Sequence, residues 1–218
     1  DVHGIGFVLG DDYYAEIINC DSHDNVDVYA EAPGDYGMGF ACGSSESFTE
    51  GYTYFYGCRA WNNSDQGFAS PTHSRVVFDN CWSFDNDLLN FERGDGHGWK
   101  IGYWYYPQTV NDPTIVIKNC IASNNMGDGI AGNEHGFAYT SPYHLYNNFI
   151  YGSGRFGISI NNITNNLSSD QDELRRTLKN NVVYASEFIA GGTVINVNAE
   201  GLYTHSNNSW DMNLDLND

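Results

Sequence analysis

The segment Asn80-Cys81-Trp82-Ser83-Phe84-Asp85-Asn86 recurs in altered form along the whole chain. Asn19-Cys20-Asp21-Ser22-His23-Asp24-Asn25 precedes it, as does Gly57-Cys58-Arg59-Ala60-Trp61-Asn62-Asn63, and Asn119-Cys120-Ile121-Ala122-Ser123-Asn124-Asn125 follows. In each copy an asparagine stands five positions after the cysteine. Degenerate copies begin at Asn147-Asn148, Asn180-Asn181 and Asn207-Asn208. Before each cysteine lies a β-prone run, such as Tyr52 to Tyr56, Arg75 to Phe78 and Thr114 to Ile117. After it comes a glycine and a large apolar residue: Gly39-Phe40, Gly67-Phe68, Gly98-Trp99, Gly129-Ile130 and Gly157-Ile158.

Self-similarity at this period is the signature of a solenoid. Cys58 and Cys81 are 23 residues apart, which suits one turn of short strands joined by corners. The expected fold is all-β, a right-handed parallel β-helix of about six to seven coils, treated as one unit over residues 1–218. One coil cannot bury its inward side chains by itself, whereas stacked coils share a continuous core. Cys20, Cys58, Cys81 and Cys120 should form one inward column, and Phe40, Phe68, Trp99, Ile130 and Ile158 another. Asn25, Asn63, Asn86 and Asn125 should form an asparagine ladder whose amides bond from coil to coil.

That register changes how five cysteines are read. Thiols stacked on parallel strands point the same way, so packing as free thiols is expected rather than bridging. Cys42 falls outside the register, and no CxxC pair suggests structural zinc. The chain carries 28 acidic against 9 basic side chains, a net charge of −19. Such a balance argues against nucleic acid and against an anionic membrane as partner. No apolar run approaches the ~20 residues of a membrane-spanning helix. Sequons begin at Asn62, Asn162, Asn166 and Asn207, the glycosylation candidates in an asparagine-rich chain.

The coils are interrupted at one corner. Val26 to Met38 and Asp87 to His97 are inserted between the ladder asparagine and the Gly-aromatic pair, and should wall a groove floored by coils two to four. A further insertion, Ser168 to Leu178, reads as a short helix with Ser169 as its N-cap. The strand after each Gly-aromatic pair should turn Ala41, Ala69, Lys100, Ala131 and Ser159 outward. Lys100 then stands alone among small neighbours in an open depression. A lysine so placed suits proton abstraction α to a carboxylate, provided that carboxylate is neutralised. The plain alternative is a solvated lysine on a strand. Trp61, Asp95, His97, Tyr103 and Trp104 are the candidate substrate-binding residues around it.

The Cys/Asn coils, Gly57 to Asp65, Gly98-Trp99-Lys100-Ile101-Gly102 and Ser206-Asn207-Asn208-Ser209-Trp210 resemble the family-nine pectate lyases and their rhamnogalacturonan-lyase relatives. The resemblance implies an extracellular right-handed parallel β-helix acting on uronate polysaccharides by β-elimination. It implies that Lys100 is the base, and that calcium is held by four aspartates. Three of those positions differ here: Met38 in Gly37-Met38-Gly39-Phe40, and Gln66 and Ala69 in Asn63-Ser64-Asp65-Gln66-Gly67-Phe68-Ala69. Asp65 is the remnant metal position. Calcium takes six to eight oxygens, so this set leaves the cage incomplete, with no cofactor expected unless the lyase reading holds.

Three functions follow as expectations. The first is a pectate-lyase-like β-helix that binds carbohydrate, or serves as a structural module of a larger surface protein, without catalysis. The second is an extracellular filament built by end-to-end stacking of copies, suggested by the want of a capping segment at either end. The third is an active polysaccharide lyase with Lys100 as base.

Overall fold

The computed structural model describes residues 4–9, 14–29, 31, 33–42, 52–70, 75–88, 94–102, 115–132, 143–160, 176–184, 193–197 and 203–212. Strand β1 (Phe7–Leu9) precedes a first coil of β2 (Ala15–Ile18), β3 (Asp21–His23) and β4 (Phe40–Cys42). The second coil is β5 (Tyr52–Tyr56), β6 (Arg59–Trp61) and β7 (Phe68–Ser70), and the third β8 (Arg75–Asp79), β9 (Trp82–Phe84) and β10 (Trp99–Ile101). Then come β11 (Ile115–Lys118), β12 (Ile121–Ser123) and β13 (Ile130–Gly132). The fifth coil is β14 (Tyr143–Tyr146), β15 (Phe149–Tyr151) and β16 (Phe156–Ile160). The sixth is β17 (Arg176–Lys179), β18 (Val182–Tyr184) and β19 (Thr193–Val197), followed by β20 (Tyr203–Ser206).

Each strand pairs in parallel with its counterparts in adjacent coils, giving three sheets. The first runs β1-β4-β7-β10-β13-β16-β19, the second β2-β5-β8-β11-β14-β17-β20 and the third β18-β15-β12-β9-β6-β3. This is the expected β-helix. Phe40, Phe68, Trp99, Ile130 and Ile158 are in register on the first sheet and buried. Phe68 stacks on Phe40 and on Trp99 at 5.1 Å, and meets Phe78 of the second sheet edge-on at 5.4 Å. Burying one such side chain is worth roughly 1.5–3 kcal/mol.

The glycine before each large residue has a steric cause. A Cβ on Gly39 would lie 2.6 Å from the Gly67 carbonyl oxygen, and one on Gly98 would lie 2.5 Å from that of Gly129. The coils come too close at this corner for any side chain. At the corner entering the third sheet, Asn19, Asn80, Asn119, Asn147, Asn180 and Asn207 have φ between 53° and 58°. Asparagine tolerates this left-handed conformation best among non-glycine residues, and Gly57 fills the remaining coil. The repeated asparagine at this corner, replaced by Gly57 in the second coil, thus answers a backbone requirement.

All five cysteines are free thiols, with Cys58, Cys81 and Cys120 at the core. Their column continues upward as Asn148, Asn181 and Asn208, and the two residue types do the same work. The thiols of Cys58, Cys81 and Cys120 donate to the carbonyls of Ile17, Phe55 and Phe78, at 3.3, 3.5 and 3.6 Å. The amides of Asn148, Asn181 and Asn208 donate to the next carbonyls in that row, Ile117, Leu145 and Leu178, at 2.9, 3.0 and 2.9 Å. The other asparagine ladder lies at the next corner. Asn25 Nδ2 donates to Asn63 Oδ1 at 2.7 Å, Asn63 to Asn86 at 3.0 Å, and Asn86 to Asn125 at 2.7 Å.

The helix expected over Ser168 to Leu178 is corrected at its end. Arg176 and Leu178 belong to β17, paired with β14 and β20. Leu178 is buried opposite Leu145, and the buried Arg176 guanidinium lies 5.0 Å from the Tyr143 ring centroid. Alternate-residue burial against an existing sheet outweighs the capping pattern. Ser169 and its neighbours to residue 175 lie outside the described residues.

Candidate functional site

Both corner insertions fold back onto the second coil between Asn63 and Gly67. From one side, the Asp27 N–H donates to Ser64 Oγ at 3.1 Å, and Gly37 O accepts the Asp65 N–H at 3.2 Å. From the other, the Asp87 N–H donates to Asn63 O at 2.7 Å, and the Asp95 N–H to Asp65 Oδ1 at 3.0 Å. Gly94 packs so closely that a Cβ there would lie 2.1 Å from Ser64 O. Ser64, Asp65 and Gln66 are consequently buried. The expected open groove floor is therefore a clamped corner. The insertions close on the second coil because its turn offers them carbonyls and carboxylates that need donors.

Lys100 does face outward from β10, between Ala69 and Ala131, but it is not in an open depression. Both alanines are buried and the lysine side chain is 21% exposed. Its Nζ pairs with Asp95 Oδ2, which also accepts from Gln66 Nε2 at 3.2 Å. Burial alone would raise the Asp95 carboxyl. The Lys100 hydrogen bond and charge, with the fields of His97 and Arg155, outweigh it and hold the group below the usual carboxylate value. Asp65 lies deeper. Burial pushes its carboxyl up to about 8, and the Asp95 charge adds to the rise while the Asp95 N–H opposes it.

His97 sits behind this pair. Its Nδ1 accepts the Asp128 N–H at 2.8 Å, so the neutral ring carries its proton on Nε2. Burial brings it down to about 4, against the fields of Asp128 and Asp95. The Asp128 carboxylate accepts Arg155 Nε at 3.1 Å, Arg155 Nη2 at 3.2 Å and the Phe156 N–H at 3.1 Å. The corner thus holds two ion pairs, Lys100–Asp95 and Arg155–Asp128, with the buried Asp65 and the neutral His97 hydrogen-bonded beside them. Asp128 and Arg155 were not among the sequence candidates. Aligning coils on Gly67, Gly98 and Gly129 would have found Asp128, since Gln66, His97 and Asp128 precede those glycines.

Other candidates lie apart. Trp61 is on the third sheet, stacked between Phe84 at 5.5 Å and His23 at 4.2 Å, whereas Lys100 is on the first. Tyr103, Trp104, Asn162 and Asn166 lie outside the described residues. Asn62 and Asn207 are exposed left-handed corner residues, and Asn62 Nδ2 donates to Asp24.

The sequence matches the family described as Pel9A-like, right handed beta helix region, over residues 1–166. The chain belongs to that family. Pectate lyase L of Dickeya dadantii (strain 3937) is 30% identical over 204 residues, covering 91% of this chain and 40% of the relative. Pectate lyase L of Thermoclostridium stercorarium is 28% identical over 144 residues, 62% of this chain and 11% of the relative. The crystal structure of pectate lyase Pel9A superposes with a TM-score of 0.66 at 27% identity, covering 96% of this chain and 46% of that one. A rhamnogalacturonan lyase superposes with a TM-score of 0.70 at 26% identity, covering 96% and 52%. The chain spans two fifths of the length of the Dickeya relative. Its β-helix is right-handed, like the family's.

The four positions that the sequence resemblance gives to calcium are Met38, Asp65, Gln66 and Ala69. Met38 and Ala69 carry no side-chain oxygen. Gln66 turns its NH2 group to Asp95, and its buried Oε1, which has no hydrogen-bond partner among the described residues, is the one side-chain oxygen the residue offers. Among the described residues, no three His, Cys, Asp or Glu side chains are arranged to hold a metal. These four side chains offer three oxygens, where calcium takes six to eight in all.

Proposed function

We propose that this chain is part of an extracellular protein that binds uronate-containing polysaccharide on a lyase scaffold without cleaving it. The observation that carries the reading is the Lys100–Asp95 ion pair. A base for β-elimination must have a free electron pair when it meets the substrate, and the substrate carboxylate must be neutralised at the same moment. Here the ammonium is paired with a neighbouring carboxylate, and two of the four positions that the resemblance gives to a divalent cation carry no side-chain oxygen.

Polysaccharide as the ligand class rests on the relatives, which bear the names pectate lyase and rhamnogalacturonan lyase. An extracellular setting rests on the same kinship. Electrophoresis through gels containing polygalacturonate or rhamnogalacturonan tests the reading. The protein should be retarded relative to a glycan-free gel, and the recovered glycan should keep its length. Unretarded migration in both gels, or shortened glycan, would overturn it.

A further inference from the structure

The outward face of the third sheet carries a column of rings with one gap. His23, Trp61, Phe84, Ser123, Tyr151 and Tyr184 occupy equivalent outward positions in six consecutive coils. Trp61 and Phe84 stack at 5.5 Å with 4° between their planes, and Tyr151 and Tyr184 stack at 5.5 Å with 1°. Ser123 alone interrupts the sequence of rings. Coils repeat at about 4.8 Å, so Phe84 and Tyr151 are separated by about twice that distance along the axis. One ring inserted between them would keep the spacing the column already uses, which lies within the favoured range for offset stacking.

The gap has apolar flanks and a polar rim. Two residues back along the same strands, Trp82 is 47% exposed and Phe149 44% exposed, with Ile121 between them. Large side chains therefore surround the small serine and leave an indentation in an apolar patch. At the adjoining corner, Asp85 and Asn124 follow Phe84 and Ser123, both half-buried and left-handed. Strands β9, β12 and β15 contain no cation, and Asp85 stands at the rim, so a carboxylate in the gap would be repelled. A pyranose ring matches this arrangement. Its two C–H faces suit an aromatic wall on either side, and its rim hydroxyls suit Asp85 and Asn124.

We propose that the gap at Ser123 is a binding slot for a neutral pyranose residue of a polysaccharide, sandwiched between Phe84 and Tyr151. It rests on the glycan-binding reading but names a site on a different sheet from Lys100. Calorimetric titration with a galactan tetrasaccharide and a neutral-sugar-containing rhamnogalacturonan oligosaccharide tests it, with tetragalacturonate as acidic comparator. Ser123→Trp fills the slot with a ring, and Phe84→Ala and Tyr151→Ala each remove a wall. All three variants should fold, as checked by thermal unfolding, and should lose at least tenfold in affinity for a neutral-sugar probe. Unchanged affinity in Ser123→Trp would overturn the slot while leaving glycan binding elsewhere intact. An absence of binding by the unsubstituted chain to all three probes and to the polysaccharide gels would overturn both proposals. Preferential binding of tetragalacturonate that Ser123→Trp abolishes would contradict the neutral-ring assignment.

Discussion

The Asp95 N–H donates to Asp65 Oδ1, yet the carboxyls of these two residues are driven in opposite directions by their surroundings. Asp95 faces an ammonium and stays charged, while Asp65 lies deeper and holds its proton up to about 8. The consequence is a pH dependence of stability with a definite sign. Between the ordinary value of 3.8 and about 8, the native state keeps a proton on Asp65 that the unfolded chain has released. Stability therefore falls as pH rises through that window, by as much as about 1.4 kcal/mol per pH unit from this one group. His97 acts oppositely, because its value is lowered from 6.5 to about 4, and its contribution is lost as pH falls through that interval. Thermal midpoints compared between 6.5 and 8 isolate the carboxyl. The unsubstituted chain should lose stability across that range and Asp65→Asn should lose clearly less. Parallel curves would show that Asp65 is ionised in the fold. None of this was legible in the sequence, where Asp65 read as a metal remnant and Asp95 as a substrate contact. Their pairing depends on how the insertion from Asp87 to His97 folds, and a loop's path has no periodicity to reveal it.

Strands and corners were the most readable level. The cysteine frame gave the coil length, and the Gly-aromatic pairs marked the close approach of backbones that a Cβ would obstruct. The degenerate copies from Asn147 onward were aligned correctly, yet only the hydrogen bonds reveal that asparagine replaces cysteine in function as well as position. This equivalence predicts two contrasting substitutions. Cys120→Asn should extend the amide column by one coil, placing its NH2 on the Phe78 carbonyl and its oxygen on the Cys81 N–H that Cys120 Sγ now accepts at 3.3 Å. Stability in urea should change by less than about 1 kcal/mol. Asn86→Ala should instead cost about 3 kcal/mol, since it removes the oxygen that accepts both the Asn63 N–H and the Asn63 side-chain amide, and the amide that donates to Asn125 and Ser83. Equal losses in the two variants would refute the shared role. The helix expected over Ser168 to Leu178 shows the limit of local reading. A capping pattern carries no information about the sheet waiting to receive Arg176 and Leu178.

At the scale of the whole molecule, the chain keeps the β-helix of its family, and our proposal is that the corner beside Lys100 no longer carries lyase chemistry. Core columns, ladders and left-handed corners depend on spacing that substitutions at Met38, Gln66 and Ala69 leave alone, which explains how fold and family stay evident. Restoring the three carboxylates should test whether those positions alone separate this chain from a calcium binder. Met38→Asp, Gln66→Asp and Ala69→Asp combined should make the thermal midpoint rise with added calcium, whereas the unsubstituted chain should show no rise. A calcium-dependent rise in the unsubstituted chain would contradict the oxygen count. The central claim is that Lys100 is a charge partner rather than a working base. Its most direct test is the ultraviolet absorbance of unsaturated uronate ends, followed on polygalacturonate and rhamnogalacturonan with and without calcium. No absorbance should develop with the unsubstituted chain under either condition. Calcium-dependent product that Lys100→Ala abolishes would contradict the account.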